Sequence, residues 1–151
     1  MKTLLIVYHT GGVKTAQMAE AVERGARGED NVNVVVKRCA EAGPEDLLAA
    51  DGLILGTPEN FGYMSGMMKD FLERVFYACE GKVNGRPWAL FVGAGQDGAG
   101  AVSSVERIVT GLRLEKKSEP VIGLKELTPE VIASCEELGA AFATGLALGV
   151  F

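Results

Sequence analysis

The sequence predicts an α/β fold in which a five-stranded parallel sheet is covered by helices on both faces. Three observations predict it. Five short apolar runs alternate along the chain with five stretches whose apolar residues recur at helical spacing, the order in which strands lie parallel and helices cross over them. The first run, Leu4-Leu5-Ile6-Val7-Tyr8, is apolar throughout rather than on alternate residues, as a central strand buried on both faces must be. Glycine-bearing loops follow the first, third and fourth runs, and open α/β sheets bind ligands beyond the carboxyl ends of their strands.

Each element has its own signal. After the first strand, His9 to Lys14 is a loop with adjacent glycines, and Thr15 to Arg27 is helical, with Thr15, Met18, Ala19, Val22 and Ala26 on one face. Asn31 to Lys37 holds four valines and reads as the second strand. Gly43-Pro44-Glu45-Asp46 opens a short helix, with proline at its first position. Leu53-Ile54-Leu55 is the third strand, stopped by Gly56-Thr57-Pro58. Glu59 to Met64 is a loop, and from Gly66 the apolar residues Met68, Phe71, Leu72, Val75, Phe76 and Cys79 take helical spacing. Gly85-Arg86-Pro87 turns the chain into a fourth strand, Trp88 to Val92. A loop from Gly93 to Gly100 follows, then a helix marked by Val102, Val105, Ile108, Val109 and Leu112. Val121-Ile122 is a short fifth strand. Thr128-Pro129-Glu130 combines a cap, a proline and an early acid, and so opens the last helix. Of the two common strand orders for such a sheet, 2-1-3-4-5 gathers the three glycine-bearing loops at one edge.

Composition narrows the function. A chain of 151 residues, 48% hydrophobic and 23% charged, is expected to form a single globular domain spanning 1–151. A net charge of −5 argues against a nucleic-acid partner. No apolar run reaches the ~18 residues of a membrane span, and the apolar tail from Ala140 to Phe151 is broken by glycines, so no membrane insertion is expected. Cys39, Cys79 and Cys135 are an odd count with no close spacing, which points to reduced thiols and a cytoplasmic protein.

The three loops carry the chemistry. In Thr10-Gly11-Gly12-Val13-Lys14-Thr15, small residues let backbone N–H groups turn toward an anion at a helix start. A lysine in a first helical turn is unfavourable by ~0.3–1 kcal/mol, and a bound phosphate would reverse that sign. The bland alternative is a threonine-capped turn with Lys14 in water. The second loop sets the rings of Phe61 and Tyr63 around Gly62, suited either to stack on a flat ligand or to plug the helix below. The third loop holds a literal G-x-G-x-x-G at Gly93, Gly95 and Gly98. The dinucleotide fingerprint, however, belongs to the first βα turn and needs an acid at the end of the next strand. Glu119 precedes Val121-Ile122 and so stands at the wrong end.

These loops together resemble a known family. The chain resembles the flavodoxin-like FMN proteins, three-layer α/β/α sandwiches with strand order 2-1-3-4-5, and most of all their short NAD(P)H-dependent FMN or quinone reductases. Tyr8 to Thr15, YHTGGVKT, resembles the phosphate loop Ser/Thr-x-Thr-Gly-x-Thr, with Thr10 and Thr15 on its first and last positions. Val13 stands where glycine is usual and Lys14 where asparagine is common. Gly56 to Val75, GTPENFGYMSGMMKDFLERV, resembles the GTP-x-x-(F/Y)-G-x-M-x-G-x-(M/L)-K-x-F-(L/I) stretch of the quinone-reductase branch. GAGQDGAGA, Gly93 to Ala101, matches as a glycine-rich third loop.

The resemblance implies that Thr10, Gly11, Gly12, Val13, Lys14 and Thr15 hold the FMN phosphate. It implies that Pro58, Glu59, Asn60, Phe61, Gly62, Tyr63 and Met64 line the isoalloxazine ring, with Phe61 against it. Ala94, Gly95, Gln96, Asp97 and Gly98 would follow the pyrimidine edge. No side chain is then needed as acid or base; FMN carries the reaction, NAD(P)H donates electrons, and a quinone or flavin accepts them. The short chain implies a monomer or homodimer. Competing readings are a one-electron carrier and an interaction module that has lost its cofactor. A receiver domain of the same strand order is excluded, since it needs acids where Tyr8-His9 and Thr57-Pro58 stand.

Overall fold

The computed structural model describes residues 1–151. The chain forms β1 (Lys2–Tyr8), α1 (Lys14–Ala26), β2 (Val32–Arg38), α2 (Pro44–Ala49), β3 (Gly52–Asn60), β4 (Tyr63–Met64), α3 (Gly66–Cys79), β5 (Pro87–Ala94), α4 (Ala99–Gly111), β6 (Glu115–Lys116), β7 (Val121–Leu124) and α5 (Pro129–Leu148). The main sheet is parallel in the order β2-β1-β3-β5-β6, and β7 also pairs with β5. β3 occupies one edge of β5, so β6 and β7 share the other. They are two pieces of one fifth strand.

The strands alternate between two cores. Leu5, Val7, Leu53, Leu55, Leu90 and Val92 face a core built with α2, α3 and α4. Leu4, Ile6, Ile54, Ala89 and Phe91 face a second core built with α1 and α5. An apolar side chain on every residue from Leu4 to Val7 is therefore required, because successive residues point to opposite faces. Helix α5 has the length and apolarity of a membrane span, yet here its stripe of Cys135, Leu138, Phe142 and Leu146 is buried in the second core. Its Gly139 lets it lie on α1 at backbone contact: a Cβ there would stand 2.0 Å from the Val22 carbonyl oxygen. At its end, Phe151 turns back onto Phe142, ring centroids 5.1 Å apart.

Two elements differ from the sequence expectation. β3 does not stop at Gly56-Thr57-Pro58 but continues to Asn60. The Gly56 carbonyl accepts from the His9 N–H at 3.0 Å and so faces β1. Pro58, two residues on, faces the same way but beyond the last β1 pair, Tyr8 with Gly56. A missing N–H costs nothing at such an unpaired edge. The fifth strand starts at Glu115 rather than Val121, and Glu119 lies in the gap between its two pieces. Both residues of β6 are exposed and charged, so periodicity could not mark them.

All three cysteines are buried and unpaired. Burial pushes Cys39 up to about 12 and Cys135 up to about 11, and it raises Cys79 as well. Such thiols carry almost no thiolate at neutral pH. The native protein should therefore leave a disulfide reagent such as dithiobis(nitrobenzoate) unreacted, while all three thiols titrate in denaturant. Rapid labelling of any one thiol in the native state would contradict this packing.

Candidate functional site

The three glycine-bearing loops meet at the carboxyl edge of β1, β3 and β5. Thr10, Gly11, Gly12, Val13, Lys14 and Thr15 line one cleft of about 330 Å³ together with Pro58, Asn60 and Gly93. The structure thus brings the whole first loop against the second, as expected, and adds Gly93. No acid lines this cleft.

What the cleft offers is hydrogen-bond donors. The amide N–H groups of Thr10, Gly11, Gly12 and Val13 have no partner in the chain. Those of Lys14 to Ala16 open α1, where a helix has no acceptors of its own. The N-cap position, Val13, supplies no side-chain cap. Thr10 does not add a donor, because its hydroxyl already donates to the Gly12 carbonyl at 2.6 Å and tightens the loop. Thr15 does. Its side chain is only 3% exposed, and its hydroxyl has no partner in the chain yet is not sealed from solvent. It lies over Gly93, where a Cβ would stand 2.7 Å from Oγ1. Gly93 is the residue that sequence reasoning passed over; its signal was the first position of the G-x-G-x-x-G.

Lys14 points neither into water nor along the first loop. Its Nζ donates to the Ala94 carbonyl at 2.7 Å, bridging the first loop to the third. Burial holds its pKa below the ordinary lysine value. His9, beside this loop, is likewise lowered by burial and by the Arg38 guanidinium, which lies 5.1 Å from the Tyr8 ring centroid. Both effects favour the neutral form of His9.

The second loop is a β-hairpin rather than an irregular loop. Glu59 pairs with Met64 and Asn60 with Tyr63, leaving Phe61-Gly62 as a two-residue turn with φ of 54° and 67°. Positive φ at both positions is the turn whose twist matches the strands, usually built from asparagine and glycine. A phenylalanine there gave no turn signal, and it holds an uncommon backbone conformation. Phe61 plugs nothing: its ring is fully exposed, and Tyr63 is 43% exposed. Met64, expected beside the ring site, is instead buried in the core under the hairpin.

Glu59 is not simply solvated. Its Oε2 accepts from the Gly100 and Ala101 amides at 3.1 and 3.2 Å, capping α4 from another strand. The Met64 N–H donates to the Ser104 hydroxyl at 3.0 Å, a second tie to α4. A Cβ on Gly100 would stand 1.8 Å from the Gly62 carbonyl oxygen, so only glycine lets the hairpin sit there. In the third loop Ala94 and Gly98 are buried, while Gly95, Gln96 and Asp97 are exposed. Asp97 accepts from the Ala99 amide at 3.0 Å, and Gly98 takes the left-handed conformation ahead of α4. The loop contains no aromatic residue.

Comparison with known proteins adds to this geometry. The family model described as NADPH-dependent FMN reductase matches residues 11–115. A protein named flavodoxin from Aquifex aeolicus (strain VF5) is 37% identical over 112 residues, covering 74% of this chain and 60% of the relative. An NAD(P)H dehydrogenase (quinone) from Acidithiobacillus ferrooxidans (strain ATCC 53993 / BNL-5-31) is 34% identical over a stretch covering 61% of this chain and 56% of the relative. The match thus spans less than two thirds of either relative's length. Among solved structures, a flavodoxin from the domain Archaea superposes with a TM-score of 0.83 at 20% identity, covering 95% of this chain and 98% of that one. The flavodoxin, WrbA-like protein of Agrobacterium tumefaciens gives 0.82 at 21% identity, covering 99% of each chain. These likenesses show the flavodoxin fold.

The Glu59 cap generates a stability prediction. Glu59→Ala removes the acceptor for two amides at a helix start and should cost about 1 kcal/mol, read as a lower midpoint in urea unfolding. An unchanged midpoint would mean that water caps α4 equally well.

Proposed function

The chain belongs to the NADPH-dependent FMN reductase family, matched over residues 11–115, and from that premise we propose that it is an FMN-binding oxidoreductase that passes electrons from NAD(P)H to a quinone or to free flavin. The observation that carries this reading is the first-loop cleft. It offers unpaired amides from Thr10 to Val13, the unpartnered hydroxyl of the largely buried Thr15, the start of α1 and no carboxylate. A phosphate dianion is the ligand such a donor set fits. A loop that closes on a terminal phosphate favours FMN over FAD.

The remaining loops suit a flat ring. Pro58 to Asn60 lead from the phosphate cleft to the hairpin tip, where the bare Phe61 ring, Gly62 and Tyr63 would cover one face. Ala94 to Gly98 would follow the pyrimidine edge, chiefly through backbone. Met64 would act from below, in the core. Bound FMN supplies hydride acceptance and two-electron transfer; the chain binds and orients it. Because the third loop has no aromatic, the other ring face is left open. A nicotinamide must lie within a few Å of the ring to react, and a flat quinone could use the same space once the nicotinamide has left. The expected kinetics are ping-pong.

A one-electron carrier is the second reading, favoured by the relative named flavodoxin. The scarcity of acids in the three loops, where only Glu59 and Asp97 occur, supports the reductase, since NAD(P)H is itself anionic. A single flavin-binding unit over residues 1–151 and a reducing, cytoplasmic setting complete the proposal; the three unpaired cysteines suit the latter.

The purified protein should be yellow, or turn so with FMN, and should oxidise NADH or NADPH when benzoquinone or menadione is supplied. Bound FMN that neither nucleotide reduces would favour the carrier. A protein still colourless after excess FMN would overturn both readings.

A further inference from the structure

We propose that the Lys14 ammonium serves the flavin ring: fixed on the Ala94 carbonyl, it is the positive charge that stabilises the negative charge left on the ring by two-electron reduction. The inference rests on FMN occupying the three-loop cleft with its pyrimidine edge along Ala94 to Gly98.

The placement of Lys14 is the first argument. Its Nζ lies 2.7 Å from the Ala94 oxygen, a contact between residues 80 apart in the chain. The side-chain stem crosses Gly93, its Cγ and Cδ 3.7 Å from where a Cβ would stand. A long, flexible side chain that lines the Thr10 to Val13 cleft is thereby held with its ammonium on the carbonyl at the head of the third loop.

The second argument is the charge left over. A carbonyl fixes an ammonium without neutralising it, and Lys14 takes part in none of the chain's ion pairs. Neither acid of the second and third loops forms an ion pair with it. Glu59 is committed to the Gly100 and Ala101 amides, and Asp97 to the Ala99 amide. Burial lowers the Lys14 pKa, as expected for an ammonium drawn partly out of water with no anion beside it. The site is electrostatically incomplete until an anion arrives. The phosphate already has the amides and the Thr15 hydroxyl, so Lys14 is available to the ring.

The chemistry supplies that anion. A hydride leaving the nicotinamide C4 carries two electrons and one proton to the flavin N5; NAD(P)⁺ departs, and an electron pair moves onto the N1–C2=O edge of the ring. A preorganised cation at that edge favours the charged product without reorganising. Lys14 acts as an electrostatic residue, not as an acid or base.

Sulfite is the probe, because it places the same charge without a nicotinamide. Its sulfur lone pair bonds to N5, an electron pair moves to N1–C2=O, and the flavin colour bleaches. Wild type, Lys14→Gln and Lys14→Arg are each saturated with FMN and titrated with sulfite; riboflavin, which lacks the phosphate, is carried through in parallel. Gln removes the charge but keeps an N–H donor, and Arg keeps both. The Lys14→Gln protein should bind sulfite about tenfold more weakly with either flavin, and its two-electron potential should fall by the corresponding ~30 mV. Lys14→Arg should stay close to wild type. Unchanged sulfite affinity in Lys14→Gln, with only FMN binding weakened, would overturn the proposal and assign Lys14 to the phosphate. A wild type that takes up no FMN would overturn the functional reading itself, before any sulfite is added.

Discussion

Strands β1, β3 and β5 are apolar on both faces, and that constraint arranges the rest of the molecule. Leu4 and Ile6 must be covered by α1 and α5, Leu5 and Val7 by α2, α3 and α4. A parallel strand reaches the next only by crossing over through a helix, so every strand-to-helix loop falls at the same edge of the sheet. There the strand carbonyls end and the helix amides begin. The cleft is a consequence of burying a two-sided sheet, and what it binds depends on how those loose backbone groups are satisfied.

The three loops satisfy them unequally. At α4 the orphan amides are taken by Glu59 and Asp97, and the hairpin is fastened on top through Ser104 and the bare backbone of Gly100. At α1 they are left open: Val13 caps nothing, Thr10 bonds within its own loop, and the Thr15 hydroxyl has no partner and is not sealed from solvent. One helix start is thus closed by the protein's own carboxylates and the other is left with its amides unpaired. Lys14 joins the first loop to the third by reaching the Ala94 carbonyl, so the two ends of the cleft are tied to one another. Under the proposed function, that division of acids and donors suits an anionic cofactor and an anionic reductant.

Much of this was legible in the sequence, because the signals were local. The unbroken run from Leu4 to Tyr8, the helical spacing from Met68 to Cys79 and the Thr128-Pro129-Glu130 start each name their own element, and the glycines locate the loops. The pairing of Thr10 to Thr15 with Pro58 and Asn60 in one cleft followed from strand order. What was missed is non-local or atypical. Pro58 looks like a strand end, and is harmless only because β1 has already stopped beside it. Phe61 sits where glycine or asparagine normally announces a turn. Glu59 caps a helix that starts 40 residues later, and Lys14 reaches a carbonyl 80 residues away; no window of sequence contains either pair. The polar strand β6 is held by backbone pairing to Pro87 and Trp88 and by the Lys116–Glu106 ion pair, with no apolar side chain of its own.

The central claim is that the open amides and Thr15 at the start of α1 form a phosphate cradle. Parallel titration of the apoprotein with FMN and with riboflavin tests it most directly, since the two differ only by that phosphate. If the cradle is real, FMN binds at least about a hundredfold more tightly than riboflavin, the contribution of two or more charge-assisted hydrogen bonds. Equal affinity for the two flavins would contradict it and leave the first loop a turn with no ligand.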